Sequence, residues 1–133
     1  MKKRKKKRKF NVNARKKDLH ILWSSKVRQR DKYVCMWCEY DGRRNVNLKN
    51  HAHHIVAVAV CSNIGRFEID NGVTLCFHCH IDRLKAYPDE YIRFRDSWLQ
   101  ETLAMDYASL RRSYLPFQKF TEEFYAKKKK LLS

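Results

Sequence analysis

The sequence lacks a long apolar run. None of its apolar stretches approaches the roughly 18 residues that a membrane-spanning helix requires. No segment after the basic N-terminus resembles the apolar region of a secretory signal. These absences predict a protein of the reducing cytoplasm, or of the nucleus if the source is eukaryotic. In such a compartment cysteines bind metal more often than they form disulfides.

The sequence is also poor in acidic residues. It contains 14 Asp and Glu against 30 Lys and Arg, which gives a net charge of +16, and eight of the positive charges lie in residues 1–9. Such an excess predicts a polyanionic partner. Nucleic acid is favoured over a membrane surface because the basic N-terminus lacks the apolar stripe of an interfacial helix. A solubilising or nuclear-import tail is the alternative for this segment. The predicted phosphate contacts are Lys2, Lys3, Arg4, Arg28, Arg30, Arg43, Arg44, Lys127 and Lys128.

Hydrophobic spacing predicts a mostly helical chain with two short strands and no internal repeat. The first helix is predicted at about residues 17–30, with Asp18 as its cap. The apolar stretch Ile55–Val60 predicts a buried strand, and Val73–Leu75 a second one. Further helices are predicted to begin near Cys76, to run from Pro88 to about Leu110, and to extend from about Phe117 to Leu131.

The cysteine spacing indicates a structural zinc site. CMWC at 35–38 and CFHC at 76–79 are two Cys-x-x-Cys pairs, and two such pairs complete a tetrahedral Cys₄ shell. The predicted ligands are Cys35, Cys38, Cys76 and Cys79, which would join the turn after the first helix to the helix that begins near residue 76. A closed shell leaves no position for substrate, so this Zn²⁺ would hold structure only. Cys61 is left over and is expected to be a buried or loop thiol.

Four stretches together resemble a known enzyme family. RQRDKYVCMWC, HHIVAVAV, DNGVTLC and HCH occur in the order typical of the HNH endonucleases, a branch of the ββα-metal (His-Me finger) nucleases. The resemblance is to the Cys₄-zinc members common in phage and bacterial genomes, and it covers about residues 23–85. It implies an α+β fold: a small ββα-metal core flanked by an N-terminal helix and two C-terminal helices. The corresponding divisions are a basic, disordered tail at 1–13, the nuclease core at 14–86 and a helical extension with a basic end at 87–133.

The resemblance also implies roles for individual residues. His54 would be the general base that activates water, and His53 and His80 would hold a catalytic divalent cation, Mg²⁺ or Mn²⁺. Asn71 would orient the active-site loop or assist the histidine. Relatives often place another polar or ligating residue four positions after the final histidine, where this sequence has Leu84, so the identity of the cation stays open.

Each of these residues also has a simpler interpretation. Asn71–Gly72 is a common turn dipeptide, and His53 and His54 are explicable as packed histidines of a zinc module. His51 and His78 match no catalytic position; His51 is expected to contact phosphate or a strand edge. His20 lies apart on the first helix and is expected to serve packing or the surface.

Three functions remain open at this point. The first is a metal-dependent DNA endonuclease acting on duplex DNA in a bacterial or phage-infected cell, as a monomer or homodimer. The second is a non-catalytic zinc module that binds nucleic acid through charge. The third is a nuclease active only with a larger packaging or homing partner, which would dock on the C-terminal helices.

Overall fold

The computed structural model describes residues 9–133, so Lys2, Lys3 and Arg4 of the predicted tail lie outside the described residues. The described chain has an α+β fold, with seven α-helices and one antiparallel sheet of two strands. The helices are α1 (Val12–Arg30), α2 (Met36–Tyr40), α3 (Asn63–Arg66), α4 (Leu84–Ala86), α5 (Pro88–Leu103), α6 (Tyr107–Ser113) and α7 (Glu122–Leu132). The strands are β1 (His51–His54) and β2 (Gly72–Leu75); a 3₁₀ turn, Ile69–Asn71, precedes β2, and a π-helical segment, His78–Arg83, leads into α4. None of the described helices is both long enough and apolar enough to cross a membrane.

Helix α1 begins five residues earlier than predicted. The Asn11 side chain caps it by accepting a hydrogen bond from the Ala14 amide at 3.1 Å. Asp18, the predicted cap, lies inside the helix and pairs with Arg15 instead. The buried face of α1 carries Leu19, Trp23 and Val27, as expected from their spacing of four residues.

The first strand is not where the apolar run predicted it. Pairing in the sheet runs from His51 opposite Leu75 to His54 opposite Gly72, so the histidines themselves form β1. Ile55 and Val56 are buried, but the rest of the run turns, and Val58 and Val60 are about 40% exposed. The prediction of a strand at Ile55–Val60 is therefore wrong. Ile55 and Val56 are apolar because their side chains pack in the core, although neither residue belongs to a strand.

The end of α1 is tied directly to β2 by two adjacent side chains. Arg30 donates hydrogen bonds to the carbonyl oxygens of Ile69 (2.8 Å) and Gly72 (2.6 Å). Asp31 accepts from the Thr74 amide at 2.9 Å and pairs with Arg30. These bonds fix the edge of β2 that does not pair with β1. Arg30 therefore uses its donors inside the protein, and it is not available to phosphate as predicted.

The C-terminal segment contains three helices where two were predicted. Helix α5 ends at Leu103 because Ala104 adopts a left-handed conformation, with φ of 52°. Asp106 then caps α6, and Thr121 caps α7 five residues after Pro116. The continuous helix predicted as far as Leu110 is thus two helices.

Two apolar clusters lie on either side of the hairpin. One packs α5 and α6 against the cysteine turns and β2, with Trp37, Phe94, Leu99 and Leu110 among its buried side chains. The other packs α7 against α1 through Trp23, Phe67, Phe120 and Leu132. The C-terminal helices therefore complete the core that holds the hairpin.

Gly72 lies in close contact with α1, and this contact predicts the cost of adding a methyl group. A Cβ at position 72 would lie 2.4 Å from Val27 Cγ2 and 2.8 Å from Trp23 Cζ2. We expect Gly72→Ala to lower the free energy of unfolding by about 1–3 kcal/mol, the usual cost of overpacking, as measured by urea denaturation.

A double-mutant cycle provides the control for this prediction. Val27→Ala removes the obstructing methyl groups, so the double variant should lose less than the sum of the two single losses. Additive losses would show that the contact between Gly72 and Val27 does not limit the space at this position.

Candidate functional site

The four predicted zinc ligands come together at the start of α2 and just after β2. The sulfurs of Cys35, Cys38, Cys76 and Cys79 all lie within 4.8 Å of one another, and all four residues are buried. Cys38 Sγ lies 3.9 Å from Cys76 Sγ and 3.7 Å from Cys79 Sγ. A tetrahedral zinc with Zn–S bonds of about 2.3 Å would separate its sulfurs by about 3.8 Å. The four cysteines therefore have the spacing of a zinc site.

The surroundings of the sulfurs also suit a cation. In each Cys-x-x-Cys turn the last amide donates to the first sulfur: Cys38 N to Cys35 at 3.5 Å and Cys79 N to Cys76 at 3.4 Å. Hydrogen bonding with Cys79 lowers the pKa of Cys35 to about 5, whereas burial raises the pKa of Cys38 to about 12. Four buried sulfurs thus ionise together only if a positive ion compensates them. The residues fit Zn²⁺.

Strand β1 places its histidines on two faces, because successive side chains alternate along a strand. The rings of His51 and His53 both lie beside the ring of His80, each with a centroid separation of 5.1 Å. The ring of His54 lies on the other face, against α1. His80 comes one residue after the last zinc ligand, so the zinc turn brings it to β1.

The three histidines of the first face, here called the histidine cluster (His51, His53 and His80), contain one close nitrogen pair. His51 Nδ1 lies 2.9 Å from His80 Nδ1, a hydrogen-bond distance that also suits two neighbouring ligands of one octahedral ion with metal–nitrogen bonds of about 2.0–2.1 Å. His53 Nε2 is instead 2.9 Å from the Tyr91 hydroxyl. The closest pair of candidate ligands is therefore His51 and His80, whereas the resemblance to the HNH endonucleases implies His53 and His80.

Burial favours the neutral form of two members of the histidine cluster, His53 and His80. It lowers the pKa of His53 to about 3, with a further contribution from the charges of His80 and His54. It also lowers the pKa of His80, together with the charge of His51. Neutral imidazoles have the free lone pairs that metal binding requires. Within residues 9–133, however, only the four cysteines already form a set of three or more ligand atoms close enough for one ion.

His54 is held in a defined orientation on the opposite face. Its Nε2 donates to the Arg66 carbonyl oxygen at 2.8 Å, because a carbonyl can only accept. Its ring stacks on the Trp23 indole with centroids 3.9 Å apart and planes 5° apart, and Trp23 Nε1 donates to the Glu68 carbonyl at 2.7 Å. Nδ1 is therefore the nitrogen left to accept a proton. Burial lowers the pKa of His54 to about 4, so the ring is neutral at pH 7.

Asn71 is fully buried and organises the loop that follows β1. Its Oδ1 accepts from the Val56 amide at 2.7 Å, and its Nδ2 donates to the carbonyl oxygens of Val56 (3.1 Å) and Gly65 (3.0 Å). Gly65 precedes Arg66, whose carbonyl orients His54. Among the described residues, no hydrogen bond joins the side chains of Asn71 and His54, but Asn71 holds the loop whose Arg66 carbonyl bonds to His54. It is also the last residue of a 3₁₀ turn, in keeping with its turn-forming sequence.

Most of the predicted phosphate contacts already have partners in the protein. Arg43 and Arg44 are exposed and pair with Asp41 (3.4 Å) and Glu39 (3.5 Å). Lys127 pairs with Glu123 at 3.5 Å, and Lys128 is held by Glu68. Arg28 donates to the carbonyl oxygens of Ser24 and Leu48, each at 3.2 Å. Among the members of this set in residues 9–133, only Arg28 lines the cleft of about 360 Å³ that also includes His51 and His80.

Three contributors to the site were not predicted from the sequence. The first is His51 as a member of the histidine cluster. The alternation of His51 and His53 along one strand was a signal for it, but the strand was predicted four residues too late in the chain. Tyr91 and the Arg66 carbonyl oxygen gave no signal, because each depends on a contact between segments far apart in the chain.

The cysteine cluster predicts selective loss of metal. Cys76→Ser should reduce the zinc content from about one ion per chain to nearly none, as measured by elemental analysis of the purified protein. Cys61→Ser is the matched control, because Cys61 is also buried but lies outside the cluster, and it should retain the ion. Full zinc content in Cys76→Ser would contradict the assignment.

The hydrogen bond of His54 predicts its tautomer and its titration. In ¹⁵N–¹H imidazole spectra, with the signals assigned by their loss in His54→Gln, His54 should carry its proton on Nε2 at pH 7. It should stay neutral as the pH falls to about 5, because burial disfavours the charged ring and lowers its pKa to about 4. A proton on Nδ1, or a titration midpoint near the ordinary value of about 6.5, would contradict the geometry.

Comparison with family models, with curated proteins and with solved structures finds no match for this chain. Its function is therefore inferred from the geometry of the cysteine and histidine side chains.

Proposed function

We propose that the protein is a metal-dependent DNA endonuclease of the HNH type. The observation that carries this proposal is the orientation of His54, whose Nε2 is committed to the Arg66 carbonyl oxygen while its Nδ1 is left free. β1, β2 and the helical segment from His78 to Ala86 follow one another in the order of a ββα-metal core. The four cysteines support the zinc-stabilised variety of that core.

His54 is the proposed general base. A neutral imidazole with one free nitrogen accepts the proton of a water molecule that attacks a phosphodiester, a contribution typically worth about 10² to 10⁴ in rate. The stack on Trp23 and the bond to Arg66 fix the plane of the ring and its tautomer before substrate arrives. The pKa of about 4 keeps His54 unprotonated at neutral pH, although it also makes the free ring a weak base.

The histidine cluster is the proposed site of the catalytic cation. When bound, a divalent cation neutralises charge on the phosphate and stabilises the leaving oxygen. His51, His53 and His80 offer imidazole nitrogens, which suit manganese and later transition ions better than they suit Mg²⁺. Tyr91 orients His53 by its contact with Nε2, which leaves Nδ1 as the nitrogen of His53 available to a ligand.

The zinc has a mechanical part in this proposal. A Cys₄ shell is closed and leaves no coordination position for substrate. It instead fixes the turn after β2, and with it the position of His80 relative to β1. Structural zinc sites of this kind contribute apparent free energies on the order of 10 kcal/mol to folding, enough to hold a hairpin with only four residues in each strand.

A zinc-stabilised module that binds nucleic acid without cutting it is the second candidate. The close stack of His54 on Trp23 favours this alternative, because a half-buried, stacked imidazole with a depressed pKa also describes a packing residue. Both candidates share the zinc site and the positive charge. In the nuclease, the free Nδ1 of His54 accepts a proton from water; in the binding module it has no catalytic role.

Plasmid cleavage separates the two candidates. Supercoiled DNA is incubated with the wild-type protein and with His54→Ala in the presence of Mg²⁺, Mn²⁺, Co²⁺ or Ni²⁺. We expect cleavage by the wild-type protein and a rate lower by about 10² to 10⁴ for His54→Ala, because the general base is lost. DNA affinity should stay near that of the wild-type protein.

His78→Ala is the matched control for this assay. His78 belongs to the zinc turn but is exposed and pairs with Asp82 at 3.6 Å, away from the histidine cluster, so its removal should leave the rate unchanged. If no divalent ion supports cleavage by the wild-type protein, or if His54→Ala cuts at the wild-type rate, the catalytic proposal fails.

A further inference from the structure

A second cleft, of about 370 Å³, lies beside His54 and carries positive charge. We call it the α1 cleft; it is lined by Asn13, Lys16, Lys17, His20 and Arg66. It adjoins His54 in two ways: the rings of His20 and His54 are 6.0 Å apart, and Arg66 provides the carbonyl oxygen that holds His54. We propose that the α1 cleft binds backbone phosphates next to the ester that His54 attacks. This proposal rests on a nucleic-acid substrate, as does the proposed function.

The α1 cleft continues into the cleft of the histidine cluster. His20 lines both clefts, and Ser24 and Arg28 of α1 also line the cleft of the histidine cluster. The positions 16, 20, 24 and 28 recur every four residues, so they form one face of the helix. From residue 16 to residue 28 this face extends about 18 Å along the helix axis. That length matches about five nucleotides of a DNA strand at 3.4 Å each.

The charges that line the two clefts are not paired with carboxylates in the part of the chain that the structure describes. Among residues 9–133, none of Lys16, Lys17, Arg28, Lys49 and Arg66 forms an ion pair with a carboxylate. Arg43, Arg44 and Lys127 all do so. These five unpaired charges therefore lie on both sides of the histidines, where a strand's phosphates would neutralise them.

Arg66 is the residue that links binding to the proposed base. Its Nε is buried and has no hydrogen-bond partner among the described residues. A buried donor without a partner is rare in proteins and calls for a ligand or an ordered water to satisfy it. A phosphate oxygen at this guanidinium would lie on the residue whose own carbonyl holds His54. A DNA strand bound at Arg66 would thus have a fixed position relative to His54, the proposed general base.

The test measures binding separately from cleavage. In a His54→Ala background, which under the proposed function cuts about 10² to 10⁴ times more slowly than the wild-type protein, Lys17→Gln with Arg66→Gln removes two charges of the α1 cleft. Arg111→Gln with Arg112→Gln removes two exposed charges of α6 that also lack carboxylate partners in the described chain. Fluorescence anisotropy gives the affinity of each variant for one DNA duplex across a salt series.

We expect a change only in the α1 cleft variant. The slope of log affinity against log salt should become shallower by about 0.9 for each lost phosphate contact, or about 1.8 for two. Between about 50 and 200 mM salt this variant should therefore lose about 12-fold less affinity than the background protein. The α6 variant should keep the background slope. Lys17→Gln alone, at an exposed helix position, should shift the slope by about 0.9 and leaves the half-buried Arg66 in place.

Each result bears on one proposal at a time. Equal slopes in the α1 cleft variant and the α6 variant would overturn the α1 cleft as a phosphate site, even if the wild-type protein cuts plasmid. A shallower slope in the α1 cleft variant alone would support it, even if the wild-type protein cuts nothing and the catalytic proposal has failed.

Discussion

The sulfur cluster is the constraint on which the arrangement of the histidines depends. β1 and β2 have four residues each, and an isolated hairpin of that size is marginally stable at best in water. One cysteine pair follows α1 and the other follows β2, so an ion shared by the four sulfurs would fix the hairpin against the long helix. Arg30 and Asp31 fix the same edge by hydrogen bonds to the backbone of residues 69, 72 and 74. His80, one residue beyond the cluster, is thereby placed against His51 and His53.

The alternation of side chains along β1 then separates two kinds of chemistry. His51 and His53 face His80, in surroundings that supply imidazole nitrogens and the Tyr91 hydroxyl. His54 faces α1, where an indole and a backbone carbonyl hold its ring. A phosphodiester that crosses the end of the strand would meet a cation on one side and a base on the other. In the proposed mechanism, neither role requires a side chain to move between faces.

The sequence predicted those features that depend on local spacing and missed those that depend on tertiary contacts. The cysteine pairs, the buried face of α1 and the strand after Asn71 follow from regular spacing, and the structure places them where they were expected. β1 was misplaced because Ile55–Val60 has the composition of a strand, while Asn71 binds both backbone groups of Val56 and turns the chain away. Arg30 and Lys128 appeared to be free charges because their partners, the carbonyls of Ile69 and Gly72 and the carboxylate of Glu68, lie 39 to 60 residues away in the chain.

In the proposed mechanism, two distinct cation sites lie on opposite sides of one short turn: a closed one made of sulfur and an open one made of imidazole. Anomalous diffraction from crystals of the zinc-loaded protein soaked in Mn²⁺ or Co²⁺ tests it most directly. We expect a zinc peak within the four cysteines and a second peak, from the soaked ion, beside His80 and its neighbours on β1. A soaked ion bound only on the His54 face, or no second peak at any concentration, would contradict it.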